Sequence, residues 1–172
     1  MKTNFSITVL GGILLLLLTL NLSCKKFDPS NYYDELSNYY NLADDIISQF
    51  YDDLHDSTIT IEDFEAIYES DLNKLKQNYK TFKKNVVKKE NILYPSIDNF
   101  LSQSIKIFKN EGKEIVDILK NDPSLSNEES IEKLDNAEKQ FIDKMIALED
   151  NTSKAAHKYA DKYNIVLIHK NE

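Results

Sequence analysis

Large apolar side chains return at every third or fourth position along nearly all of the chain beyond residue 31, and that step fits an α-helix and nothing else. Tyr32, Leu36, Tyr39, Ala43, Ile46, Phe50 and Leu54 form one such stripe, and Ile61, Phe64, Tyr68, Leu72, Leu75, Tyr79, Phe82 and Val86 form a second. Ile97, Phe100, Leu101, Ile105, Phe108, Ile115 and Leu119 make a third, with Gly112 on the same face, where a neighbour can come close. Ile131, Leu134, Phe141, Met145 and Leu148 make a fourth, which Ala155, Ala156, Tyr159 and Tyr163 resume after the polar run "EDNTS". Of three glycines, two lie at positions 11 and 12, so the residues that punctuate sheet folds are nearly missing from the rest. The spacing predicts an all-α fold, an antiparallel four-helix bundle.

Each break has its own chemistry. Ser30, after Pro29, is read as the first N-cap, and Thr60 with Asp63 as the second. Pro95 is read as ending the segment before it, with Ser96 capping the third helix, and Ser126 with Glu129 as a capping box for the fourth. An unbroken fourth helix would be about 55 Å long at 1.5 Å per residue, longer than its partners, so a kink or split is expected near Asn151. The apolar tail "IVLIHK" is expected to fold back on the bundle or form a stray strand.

The N-terminus reads as an address. Lys2 precedes the apolar run "ITVLGGILLLLLTL", which ends at "NLSC", the order of charge, grease and small residue found in export signals. The run from Phe5 to Leu22, about 18 residues, also lies near the lower limit for spanning a bilayer. Cys24, the single cysteine, follows Ser23 at the end of the run, and this stretch resembles the lipobox of bacterial lipoproteins, with Asn21 standing where that pattern usually has Leu. The resemblance covers residues 1–24 and implies a diacylglycerol- and palmitate-bearing Cys24 in the cell envelope. The expected organisation is a signal peptide at 1–23, a tether at 24–30 and a helical domain at 31–172. One cysteine cannot close an intrachain disulfide, so the fold has to hold by packing. Each helix would bury about six to eight large side chains at about 1.5 to 3 kcal/mol apiece before entropy, enough without a metal or cofactor.

Charge is segregated. From Phe27 to Asn73 there are thirteen acids and no lysine, whereas Lys74 to Glu90 holds seven lysines and one acid. In an antiparallel hairpin, Lys80, Lys83, Lys84, Lys88 and Lys89 come to lie beside the tether, where lysines are attracted to an anionic membrane surface. Asp52, Asp53, Asp56, Glu62 and Asp63 then point away and suit a basic protein partner, while the same sign disfavours nucleic acid. The stretch "DDLHDSTITIEDF" resembles a calcium-binding EF-hand loop, with Asp52, Asp56 and Asp63 in ligand positions. It departs from that pattern at Leu54, at Ser57 in the glycine position and at Asp63 in place of Glu. His55, His157 and His169 match no metal-ligand spacing, and no nucleophile elbow or phosphate loop is present, so no enzyme is expected. Three functions fit. The chain is first a lipid-anchored envelope protein acting on another protein, as an accessory subunit or an immunity-type inhibitor. The alternatives are a carrier of a small or lipidic ligand and a weak calcium binder.

Overall fold

A computed structural model describes residues 27–167. They form α1 (Pro29–Leu54), α2 (Ile61–Asn85), α3 (Leu93–Ile107), α4 (Lys113–Asn121) and α5 (Glu128–Tyr163), and a π-helical turn, Phe108–Gly112, runs α3 directly into α4. The third predicted helix is therefore one rod with a π turn in the middle, and the chain is a four-helix bundle without strands among the described residues. α3 lies against α1, α2 and α5, while α1 and α5 share little backbone contact.

The core is aromatic at its centre. Phe50 of α1 is fully buried and its ring meets Phe64 of α2 at 5.2 Å, Phe108 of the π turn at 4.8 Å and Phe141 of α5 at 5.5 Å. Pairs at these separations add about 0.5–1.5 kcal/mol each beyond burial. A π turn leaves its carbonyls out of the ordinary ladder. Here the Tyr68 hydroxyl donates to the Phe108 carbonyl at 3.2 Å, and Glu111, which the turn carries into the interior, pairs with Lys144 of α5. A Cβ at Gly112 would lie 3.5 Å from the Tyr68 ring, an ordinary van der Waals contact, so the packing on this face does not depend on the missing side chain.

Three helix starts differ from their sequence reading. Asp28, not Ser30, caps α1, its carboxylate accepting from the amides of Ser30 and Asn31, with Pro29 in the first turn. α3 starts at Leu93, so Pro95 sits inside its first turn, where a missing N–H costs nothing, and Ser96 caps nothing. The cap is the buried carboxylate of Glu90, which accepts from the amides of Ile92, Leu93 and Tyr94. Asn127 caps α5 in place of the Ser126–Glu129 box, while Asp122 takes the amides of Ser126 and Asn127. Thr60 and Asp63 cap α2 as read.

The expected kink or split near Asn151 is also corrected: α5 runs unbroken for 36 residues. The polar run hides a core position. Thr152 follows Met145 by seven residues and precedes Tyr159 by seven, stays on the buried face, and returns its hydroxyl proton to the Leu148 carbonyl at 2.9 Å. Asn151, Ser153 and Lys154 simply face water. After α5, Ile165 packs on the core and the chain forms no strand through Leu167; Ile168, His169 and Lys170 lie outside the described residues.

Replacing Glu90 by Ala strips three amides at the start of α3 of their acceptor. Urea denaturation should show a loss of about 2–3 kcal/mol, and hydrogen exchange should speed at Ile92, Leu93 and Tyr94 before the rest of α3.

Candidate functional site

The bundle has two chemically distinct ends. At one, the described chain begins with Phe27, whose ring meets Tyr32 at 5.5 Å and Tyr163 at 5.8 Å. The Tyr159 hydroxyl donates to the Pro29 carbonyl at 2.9 Å, so the start of α1 and the end of α5 are stitched together. Tyr32, nearly fully buried, donates to the Val87 carbonyl at 3.0 Å and accepts the Lys89 amide at 3.2 Å. Burial, partly offset by that amide, pushes its phenol up to about 12, which keeps the donor proton in place at neutral pH.

This is also where the lysines gather. Lys80, Lys84, Lys88 and Lys89 are exposed on the last turns of α2 and the loop that follows, and Lys89 lies 5.0 Å from the Tyr32 ring centre. Lys83 differs, since it reaches across to Asp98 of α3 at 3.1 Å. Lys80, Lys84 and Lys88 have no ion-pair partner among the described residues. Cys24 and the apolar run before it lie outside the described residues, and within them no helix is long and apolar enough to cross a membrane.

At the far end, α1 runs into the loop before α2 after 26 residues, about 39 Å from its start. Asp52 and Glu62 are exposed there. Asp53 accepts from the Gln49 side chain, and Asp63 from the Thr60 hydroxyl, both at 2.7 Å. Asp56 accepts from the Thr58 amide at 2.8 Å and from its hydroxyl, and those bonds hold its carboxyl below the usual range. The acids of the loop are thus turned to local caps and turns. Among the described residues no three His, Cys, Asp or Glu side chains converge as a metal-holding group, and Asp52, Asp56 and Asp63 are not brought together as ligands. His55 sits 3.6 Å from Glu138 and Lys120 is 2.7 Å from Glu65, contacts that tie this end to α5 and α4.

Between the ends, α1 and α5 leave a seam. A groove of about 650 Å³ runs along it, with Tyr33, Ser37 and Tyr40 on one wall, Thr152, Ala156 and His157 on the other, Leu93 and Ile97 as its floor, and Ile165 to Leu167 at one end. Just beyond, Asp44 and Glu149 are both half-buried without a cationic partner. Burial and then Asp45 raise the Asp44 carboxyl, and burial and then Asp44 and Asp150 raise Glu149. A second open groove, of about 760 Å³, lies between α1 and α2 over Tyr39, Leu42 and Ile46, with Asn73, Lys74 and Asn78 along its rim. Under that rim Asp71 is buried, one oxygen held by Lys74 at 2.8 Å and the other without a partner.

In comparisons with known proteins, no family model, curated protein or solved structure matches the chain.

The charged tips were legible as runs of like charge. The stripe gives the burial of Tyr32 but not its hydroxyl's bonds to Val87 and Lys89, and neither Glu90 nor the Asp44–Glu149 pair stands out in the sequence. An acid two to four residues ahead of a helix start was the available signal for Glu90. Nothing comparable exists for Asp44 and Glu149, because periodicity gives the face of each helix but not which residues of two distant helices share a level.

Because both carboxyls are raised, the folded state takes up protons more readily than the unfolded chain. Their contribution destabilises at neutral pH and is relieved as pH falls through the raised values towards the ordinary carboxylate range of about 4. The double variant Asp44→Asn, Glu149→Gln should therefore be more stable than the parent at about pH 7 and lose that advantage near pH 4, read from urea midpoints across pH.

Proposed function

We propose that the protein is a lipid-anchored component of the cell envelope that works by binding another protein, as an accessory subunit or as an immunity-type inhibitor. The observation that carries this reading is the polarity of the bundle: the chain that follows Cys24 joins at the lysine-rich end, and the acid-rich loop lies about 39 Å away. A tether of a few residues supports an orientation with Lys80, Lys84, Lys88 and Lys89 towards lipid, since three residues span only about 10 Å. The same orientation turns Asp52, Asp53, Asp56, Glu62 and Asp63 outward, where a basic partner meets them with little desolvation. None of this requires a bound metal or a catalytic group.

Two measurements test it. Mass spectrometry of the membrane-extracted protein should find an acylated Cys24 at the N-terminus, and Cys24→Ala should leave the precursor unprocessed. Photo-crosslinkers at Asp52 and Glu62 should capture one partner more than tenfold better than crosslinkers at Lys84 and Lys88, and reversal of Asp53, Asp56 and Asp63 to Lys should abolish that capture. Equal capture from both ends refutes the protein-binding reading.

A second reading, a carrier of a lipidic ligand, draws support from the α1–α2 groove, whose volume falls in the range of small-molecule sites. The groove lies at the surface and not inside the core, so Leu42→Asp should weaken binding of a fluorescent fatty acid at least tenfold without changing the urea midpoint. Unchanged affinity excludes the groove as a carrier site.

A further inference from the structure

Single exposed apolar residues are ordinary on a protein surface, but two of them placed at one end among lysines are not. Val166 at 84% and Val87 at 67% are the most exposed large apolar side chains of the described residues, and both lie at the end where α1 begins. Val87 follows Val86, which is buried, so the loop after α2 turns one valine inward and the next outward. The outward one is held there. Tyr32 grips the carbonyl of Val87 and the amide of Lys89, and Glu90 fixes the loop's far side to α3. Val166 follows Ile165, which packs on the core, and the two sites are joined through Phe27, whose ring touches both Tyr32 and Tyr163.

The charges around this tip are uneven. Asp28 and Glu90 are occupied as helix caps and Asp98 is paired with Lys83. Asp34, Glu35 and Asp161 remain, against Lys84, Lys88, Lys89, Lys158 and Lys162. Lys84 and Lys88 flank Val87 with no ion-pair partner among the described residues.

We propose that this tip is a second, direct membrane contact: Val87 and Val166 enter the interfacial layer of an anionic bilayer while Lys84, Lys88 and Lys89 engage its phosphates. The inference rests on the anchored reading above and adds to it a specific lipid-contacting loop. An exposed apolar residue ringed by lysines matches the interface, where apolar groups sink below the phosphates and long cationic stems reach back to them. A tether reaching about 10 Å from Cys24 to Phe27 keeps the tip within the headgroup layer.

The test uses the full lipidated protein reconstituted in vesicles of phosphatidylcholine with and without phosphatidylglycerol. An environment-sensitive fluorophore is placed at Val87→Cys, Val166→Cys or, at the far end, Ser57→Cys, and vesicles carrying brominated acyl chains serve as quenchers. With phosphatidylglycerol present, the probes at 87 and 166 should shift to the blue and be quenched at least threefold more than the probe at 57. Lys84→Gln, Lys88→Gln and Lys89→Gln together should remove most of that difference, as should high salt. Probes at 87 and 166 that stay unquenched on protein co-floating with the vesicles overturn the contact and leave the anchor intact. Protein that does not float with the vesicles at all overturns the anchored reading, and this inference with it.

Discussion

Four helices meet at Phe50. Its ring touches an aromatic side chain from each of the other three, and Phe108 of the π turn does the same through Phe50, Tyr68 and Phe141. Removing water from such a cluster is the main source of stability available to a chain whose single cysteine can close no intrachain disulfide. The consequences reach outward from it. The π turn places Phe108 against Phe50 and brings Glu111 inside, where Lys144 neutralises it, and Tyr68 closes the carbonyl that the turn leaves open. Among the described residues the buried polar side-chain atoms have hydrogen-bond partners, with one oxygen of Asp71 as the exception.

Much of this was readable from the letters, and the limits have physical causes. The 3.6-residue period gives the number of helices and their buried faces, because burial selects side chains one turn apart whatever the surroundings. It could not give the π turn, whose single added residue barely disturbs the apolar spacing from Phe108 to Ile115. Capping rules taken one at a time pick Ser30, Ser96 and Ser126, but stronger acceptors nearby win the amides. At the first helix Asp28 outbid Ser30, and at the third a carboxylate several residues upstream took three amides at once, drawing Pro95 into the helix. The polar run at "EDNTS" misled because hydropathy treats threonine as a surface residue, although one back-bonded hydroxyl is cheap to bury.

The candidate sites divide along the same line. Runs of lysine or aspartate along the chain also cluster in space, since neighbours in a loop stay neighbours, and both charged ends were visible for that reason. Sites that combine residues from two distant helices were not. Asp44 and Glu149 repel one another across the seam between α1 and α5, and the grooves on either side of α1 depend on how two helices are rotated. The Tyr32 clamp joins positions 55 and 57 residues apart through one phenol, and no local pattern marks it.

The unbroken course of α5 has a mechanical side. It is pinned to His55 through Glu138, about three turns in, and to Pro29 through Tyr159 near its finish, and a continuous backbone ladder lies between the two pins. A continuous helix of this kind resists bending far better than a jointed one, so a load applied at the loops around Asn127 is passed along the rod instead of being absorbed at a joint partway.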